Sequence, residues 1–221
     1  MSTKIEKSTF DFLKALKENN NKEWFDANKS SFLEAKANFE EFIAELIKNI
    51  SVFDPAIAHH QAKDCIFRIY RDVRFSKDKS PYKSHFGAHI TPASDKKEIH
   101  SRSGYYIHIG AGESMLAGGA YLPEKNWLQA IRQEIDYNGA ALVKIISHPD
   151  FKKYFGEIEG ESLKRMPKGY PEDHQYIELL KKKSYLATHP LKDEEITKPA
   201  FLLHAADVFK ALKPFGDFLN Q

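Results

Sequence analysis

The chain has 221 residues, of which 42% are hydrophobic, 13% aromatic and 29% charged, and its formal net charge at pH 7 is +2. This composition excludes an intrinsically disordered chain, and the length is that of one globular domain. No apolar run approaches the roughly 20 residues that a membrane-spanning helix requires. The single cysteine, Cys65, has no disulfide partner in the chain, and the first residues lack the apolar run of a signal peptide. We therefore expect a cytoplasmic protein without a membrane partner.

Two amphipathic helices are predicted in residues 8–50. From Ser8 onward, apolar residues recur at a spacing of three until the asparagines at 19–21, which predicts a short helix that ends there. Ser31 and Glu34 fit a capping box for a second, longer helix. The apolar residues of that helix follow the i, i+3, i+4, i+7 pattern of one buried face, and they are Phe39, Phe42, Ile43, Leu46, Ile47 and Ile50.

A β-sheet is predicted between residues 64 and 122, where the hydrophobic period shortens from about 3.6 toward 2. Short runs of β-branched and aromatic residues, bounded by Gly, Pro, Ser and Asp, give four candidate strands at residues 65–73, 86–91, 104–109 and 115–121. Because the connections between them are too short to contain a crossover helix, we expect antiparallel pairing.

Helices are predicted again after Pro123. The apolar spacing indicates two helices around residues 127–135 and 138–146, and two more at 176–183 and 200–212, with one further candidate strand at 185–188. The expected fold is α+β, with a mainly antiparallel central sheet (about residues 64–122) and helices before and after it. We expect a single domain over residues 1–221, which is helical at 8–50 and mostly helical at 123–221.

The positive charge is concentrated in residues 68–83, which carry six cations and two anions and therefore a local charge of +4. The cations are Arg68, Arg71, Arg74, Lys77, Lys79 and Lys83, and the anions are Asp72 and Asp78. The arginines matter most, because a planar guanidinium binds phosphate or carboxylate oxygens bidentately. On a strand, Arg71 would point to the apolar face, where its charge would need a partner.

Two interpretations of this segment stay open. As an anion site, the cations would converge on a phosphate or carboxylate group, and the predicted ligand-binding residues are Arg68, Arg71, Asp72, Arg74, Asp78, Lys79 and Tyr82. As a structural network, the two aspartates would neutralise arginines that hold the following loop against the sheet. The excess of six cations over two anions favours the anion site.

Aromatic and histidine side chains could extend such a site. Four tyrosines could stack a base or a sugar, although packing in the core is their commoner role, and they are Tyr70, Tyr82, Tyr105 and Tyr106. His85 and His89 on one strand would stand about 13 Å apart, too far for one metal ion, whereas a cross-strand pair of His89 with His108 could reach one. Since no cysteine or tight carboxylate cluster accompanies the histidines, we predict no metal site. No cofactor is expected, because nucleotide-binding and hydrolase motifs are absent.

The arrangement Arg68-x-x-Arg71-Asp72-x-Arg74-Phe75-x-x-Asp78-Lys79-x-x-Tyr82 resembles the signature of a widespread bacterial, partly fungal family, domain of unknown function 2461. Asn20-Asn21-Lys22-Glu23-Trp24-Phe25, and Gly118-Gly119 followed by Pro123, are similar to further features of that family, so the resemblance covers nearly the whole chain. It implies a single domain of this length. Because the family has no assigned biochemical role, the resemblance supplies no catalytic residue.

The leading hypothesis is therefore a protein that binds a small anionic ligand, such as a phosphorylated metabolite or a nucleotide, through the arginine-rich strand and loop. If a reaction follows, hydrolysis or transfer at phosphorus is the class that these arginines would serve. The alternative is a non-catalytic module that binds nucleic acid or an acidic protein, in which the Arg/Asp motif is a structural ion-pair network. Nucleic acid is the less favoured partner, and the oligomeric state is left open.

Overall fold

The computed structural model describes residues 3–93 and 96–221. It confirms the predicted α+β fold, in which helices precede and follow an antiparallel sheet. The strands in the described residues are β1 (His85–Ile90), β2 (Tyr105–Gly110), β3 (Met115–Ala120) and β4 (Tyr185–Pro190). They pair in the order β1-β2-β3-β4. The first three fall at predicted strands, and β4 confirms the further candidate strand.

Most of the described chain outside the sheet is helical. The helices before the sheet are α1 (Lys7–Glu18), α2 (Lys22–Ala27), α3 (Lys29–Ser51) and α4 (Ala62–Cys65). Those after β3 are α5 (Lys125–Ile146), α6 (Pro149–Phe155), α7 (Ile177–Leu180), α8 (Asp193–Ile196) and α9 (Phe201–Leu219). Short 3₁₀ helices occur at Pro55–Ile57 and Lys96–His100. Over the described ranges, no helix combines the length and the apolar character that crossing a bilayer demands.

The chain divides into two compact units, each assembled from three separate stretches of sequence. The first unit takes in Met1–Ile90, Tyr106–Leu116 and Pro190–Asp207. The second takes in Thr91–Tyr105, Ala117–His189 and Val208–Gln221. The organisation as a single domain stays a prediction.

The first unit has its core along α3. The apolar face predicted for this helix is confirmed, because Phe39, Phe42 and Ile43 are fully buried. On the β1 side, the Phe39 ring stacks on Phe86 with their centroids 5.2 Å apart. A face of this kind anchors a helix because each apolar side chain removed from water contributes roughly 1.5–3 kcal/mol.

The beginning of α3 differs from the prediction. The helix begins at Lys29 with Asn28 at its N-cap position, so Ser31 lies in the first turn and does not form the expected capping box. The reason is the additional helix α2 directly before it. The side chain of Asn21 caps α2, accepting a hydrogen bond from the Trp24 backbone N–H at 3.0 Å. The asparagine run therefore ends α1 and also starts α2.

The candidate strand at residues 65–73 is wrong as a regular strand. Its first residue, Cys65, is buried at the end of α4. Residues 66–71 then run antiparallel to residues 81–88, but only two isolated bridges and three backbone hydrogen bonds join them. The pairing is therefore extended without forming a continuous ladder.

The ladder is interrupted by a shift in register beside Arg68. The Phe67 backbone N–H donates to the carbonyl of Gly87 at 2.9 Å. Two residues later, the Ile69 carbonyl accepts from the N–H of Lys83 at 2.8 Å. One residue, Arg68, consequently stands opposite three on the other segment, which is the geometry of a bulge. Periodicity alone could not have located this bulge.

In the second unit, α5 is one helix where two were predicted. The backbone of Asn138 leaves the helical region inside it, with φ −124° and ψ 24°, so the predicted break is a kink. The helix α7 is shorter than the predicted 176–183, and α9 is longer than predicted because it continues through Pro214. The sequence did not predict α6, in which Pro149 occupies the first turn, a position that proline tolerates well.

Candidate functional site

Arg71 closes the loop formed by residues 71–80. Its Nη1 donates to the carboxylate of Asp78 and, at 3.2 Å, to the backbone carbonyl of Ser80. Its Nη2 donates to the Ser76 hydroxyl at 3.4 Å. The side chain of Arg71 is 25% exposed. The partner that the sequence required for Arg71 therefore comes from within the loop.

Arg74 forms a second, more exposed ion pair in the same loop. Its Nε donates to Asp72 Oδ1 at 2.9 Å and its Nη2 to Asp72 Oδ2 at 2.6 Å, so the carboxylate is held bidentately. The guanidinium lies 5.9 Å from the ring centroid of Phe75, which is almost fully exposed. The predicted network of internal ion pairs is thus present for two of the three arginines in the motif.

The partners of both aspartates favour the charged carboxylate. The Ser80 hydroxyl donates to Asp78 at 2.6 Å and the Ser80 backbone N–H at 2.9 Å. These two bonds, and then the Arg71 guanidinium, hold the pKa of Asp78 well below its usual range. The bonds from Arg74 likewise lower the pKa of Asp72. Neither aspartate is available to accept a proton near neutral pH.

Lys79 and Tyr82 are both engaged with the protein. The Lys79 ammonium donates to the carbonyl of Val73 at 2.9 Å, across the loop. The Tyr82 ring is 5% exposed and stacks on Phe25, with centroids 3.9 Å apart and planes within 13°. Its backbone N–H donates to Asn20 Oδ1 at 3.1 Å. Of the four tyrosines that could stack a ligand, Tyr82 is therefore packed in the core.

Arg68 and Lys83 form a pair of cations without a carboxylate between them, called here the cation pair. Within residues 3–93 and 96–221, Arg68 makes no hydrogen bond or ion pair, and it is exposed. Lys83 is half-buried, with Nζ 5.3 Å from the ring centroid of Phe67. Burial lowers the pKa of Lys83, and the positive charge of Arg68 lowers it further. The two positive charges therefore repel each other, and the Asp72 carboxylate, whose pKa the charge of Arg68 also lowers, is already paired with Arg74.

Two histidines lie beside the cation pair, on adjacent strands. His85 of β1 stacks on His108 of β2, with ring centroids 3.8 Å apart and planes at 29°. The sequence left a cross-strand pair of His89 with His108 open, and the histidine that stacks on His108 is His85. Successive residues of a strand point to opposite faces of the sheet, so His108 shares its face with Tyr106. The Tyr106 hydroxyl lies 3.1 Å from His108 Nδ1.

Both imidazoles are neutral at physiological pH. Burial lowers the pKa of His85 to about 3, and the charges of His108, Lys83 and Arg71 act in the same direction. Burial also lowers the pKa of His108, against the opposing effect of Glu113. The pair therefore offers ring nitrogens with lone pairs and carries no positive charge of its own.

Glycines make room for this cluster. A Cβ at Gly110 would come within 2.9 Å of His85 Cβ and 3.1 Å of Glu113 Cγ, closer than side chains tolerate. A Cβ at Gly87 would stand 3.2 Å from the Tyr106 hydroxyl. The missing side chains allow the turn between β2 and β3 to bring the Glu113 carboxylate next to the two histidines.

The sequence analysis missed Glu113 and the pairing of His85 with His108. One signal for Glu113 was present, because glycines at 110 and 112 are typical of a hairpin turn, which brings the next residue back beside the end of β2. The pairing of the histidines depends on the register between β1 and β2. A strand register cannot be read from a single strand, since several registers keep the same apolar face buried.

The larger surface cavities lie elsewhere. In the first unit, a cavity of about 690 Å³ is lined by α3 and residues 58–63, including Glu40, Lys48 and Lys63. In the second unit, one of about 480 Å³ is lined by α5 and residues 167–170. None of the predicted ligand-binding residues lines either of them. Neither cavity includes the cation pair or the two histidines.

The comparisons with known proteins agree with the family resemblance. A family model described as "Conserved hypothetical protein (DUF2461)" matches residues 8–218. No curated protein and no solved structure matches the chain. The match covers nearly all of the sequence, so the chain belongs to the DUF2461 family of conserved hypothetical proteins.

Proposed function

We propose that this protein binds a small anionic ligand through the cation pair, with one phosphate or carboxylate group between Arg68 and Lys83. The observation that carries the proposal is that Arg68 makes no hydrogen bond or ion pair within the described residues, while its charge acts on the half-buried Lys83. An anion placed between them would relieve their repulsion and accept charge-assisted hydrogen bonds from both.

The proposal narrows the predicted site. Arg71 donates hydrogen bonds to Asp78, and Arg74 donates them to Asp72. A ligand would therefore have to displace an intramolecular carboxylate to bind either arginine. Lys79 already donates to a backbone carbonyl, and Tyr82 is buried. We therefore assign the loop 71–80 a structural role. Arg68 and Lys83 are the residues that would contact the ligand.

A phosphorylated ligand suits the site better than a carboxylate. Arg68 offers a planar fork and Lys83 a point charge, and together they match the several oxygens and the double charge of a phosphate monoester. The proposed function is binding, not turnover. A reaction at phosphorus would need a group that moves a proton, and His85, whose pKa is about 3, is a weak base near neutral pH.

The experiment is calorimetric titration with inorganic phosphate, and in parallel with a phosphate monoester, at low ionic strength. Arg68→Gln and Lys83→Gln each remove one charge-assisted contact of about 1.5–3 kcal/mol, so each should raise Kd about 10- to 150-fold. Arg74→Gln is the matched control, because it removes an equal charge from a paired arginine nearby and should leave Kd nearly unchanged. Equal effects of all three variants would mean diffuse electrostatics and would overturn the proposal, as would no binding by the unmodified chain.

One observation favours a second candidate, binding of a single-stranded nucleic acid. The Phe75 ring is 96% exposed at the tip of the loop, next to Arg74 and Lys77, and exposed aromatic rings among cations are the usual platform for stacked bases. This function predicts that affinity for an oligonucleotide falls steeply with salt concentration and that Phe75→Ala weakens it. Phosphate binding at the cation pair predicts a shallow salt dependence and no effect of Phe75→Ala.

A further inference from the structure

A second site is indicated by three side chains that lie next to the cation pair. A ring nitrogen of His85, a ring nitrogen of His108 and a carboxylate oxygen of Glu113 lie within 4.8 Å of one another. They come from β1, from β2 and from the turn after β2. Two imidazoles with one carboxylate are a donor set found in protein sites for zinc and similar ions.

The second observation is that His108 has a buried ring nitrogen without a hydrogen-bond partner among the described residues. This residue is 8% exposed, and its Nε2 is buried without a hydrogen-bond partner among the described residues. A buried polar atom left in this way is unfavourable unless something outside the chain satisfies it. The other ring nitrogen, Nδ1, is engaged by the Tyr106 hydroxyl at 3.1 Å. Ligating histidines are commonly held by such a bond, which leaves Nε2 with its lone pair directed at the metal.

We propose that His85, His108 and Glu113 bind a divalent transition-metal ion of the zinc class. The mixed nitrogen and oxygen donors fit Zn²⁺, Co²⁺ or Ni²⁺, whereas Mg²⁺ and Ca²⁺ prefer oxygen ligands alone. Three protein ligands leave a coordination position open on a four-coordinate ion. This site goes beyond the anion site and does not depend on it.

The geometry requires a small closure. Ligands of a tetrahedral zinc ion lie about 3.3 Å from one another, so the three groups must approach by up to roughly 1.5 Å. Glu113 can provide this movement, because its side chain is 42% exposed on a turn. It is held only by weak contacts, from the Ser84 hydroxyl at 3.3 Å and from the Lys17 ammonium at 4.0 Å. The missing side chain at Gly110 keeps the path between Glu113 and His85 clear.

The test is calorimetric titration with Zn²⁺ alone, after the full-length chain has been stripped with a chelator and dialysed. We expect one ion per chain at a site distinct from weak surface binding. The affinity of that site for Zn²⁺ should fall by more than about 100-fold in each of His85→Ala, His108→Ala and Glu113→Gln. This exceeds the usual loss when a residue that only supports a metal ligand is removed. Circular dichroism of each variant checks that it folds. If His108→Ala fails to fold, Glu113→Gln still decides the question, since it alters one exposed oxygen.

The matched control is His59→Ala. The His59 ring is exposed and lies 4.0 Å from the His60 ring, so this pair reports adventitious binding by surface histidines. The proposal predicts that the stoichiometric site survives His59→Ala. It is overturned if the unmodified chain shows no stoichiometric site, if Glu113→Gln leaves the affinity unchanged, or if His59→Ala removes the site.

Discussion

Arg71 and Asp78 form an ion pair that joins the two ends of a loop, seven residues apart in sequence. This contact changes how the charged motif is understood. The segment 68–83 carries a net charge of +4, and its two aspartates form ion pairs with Arg71 and Arg74 inside the loop. The excess charge is therefore carried by the remaining cations, which are Arg68, Lys77, Lys79 and Lys83.

The two ion pairs should differ in their effect on stability. Arg71→Met removes a half-buried guanidinium with three partners, so we expect the melting temperature to fall by about 2–6 °C. Arg74→Met removes an exposed pair, which is screened by solvent, so the melting temperature should change by less than about 1 °C. Differential scanning calorimetry of both variants measures this contrast. Equal melting temperatures for the two would contradict the assigned role of Arg71 as the closure of the loop.

Ser80→Ala should raise the pKa of Asp78 toward its ordinary value, because the Ser80 hydroxyl bond is the largest cause of its depression. A carboxylate whose pKa is lowered in the folded state adds stability above the unfolded pKa and loses it as pH falls through the folded value. In the variant this contribution should therefore be smaller, and its loss should be complete at a higher pH. Carboxyl carbon chemical shifts followed by NMR across the acid range report the pKa, and Asp72 is the internal control. An unchanged Asp78 titration would be inconsistent with the observed hydrogen bond.

Tyr82 should behave as a core residue in solution. Tyr82→Phe keeps the stack on Phe25, so phosphate affinity and stability should both stay close to those of the unmodified chain. Tyr82→Ala leaves a cavity and should cost about 3–5 kcal/mol of unfolding free energy, measured by urea denaturation. A large loss of phosphate affinity in Tyr82→Phe would instead return this residue to the ligand-binding set.

Tyr106→Phe should affect the metal and the anion differently. The variant keeps the ring but removes the hydroxyl that holds His108 Nδ1, so Zn²⁺ affinity should fall about 10- to 100-fold. Phosphate affinity should not change, because Tyr106 does not belong to the cation pair. Titrations of the same preparation with each probe give both values. Parallel loss of both affinities would indicate a change in folding and would count against the separate roles of the two sites.

Elements with a strong local pattern could be predicted from the sequence. The apolar face of α3 is continuous over many turns, and β1 to β3 are short apolar runs bounded by turn-forming residues, so each was located from its own residues. The segment after Cys65 was not, because the bulge at Arg68 depends on how it pairs with residues 81–88. α2 was missed because the asparagines that end one helix also cap the next.

The candidate site was predicted only in part for the same reason. Charge density located the motif, and Arg68 was named among its cations, but composition could not say which arginines pair internally. Lys83, although counted as a cation, was not assigned to the site, since its closeness to Arg68 follows from the shifted register. The cluster of His85, His108 and Glu113 combines two strands and a turn, and no single stretch of sequence contains it.

The most direct test of the central claim is the ¹H–¹⁵N spectrum of the arginine side chains during titration with inorganic phosphate. If the anion lies between Arg68 and Lys83, the Nε–H resonance of Arg68 should shift and saturate, while those of Arg71 and Arg74 stay in place because their carboxylate partners hold them. A stationary Arg68 resonance, or equal shifts of all three arginines, would contradict the account.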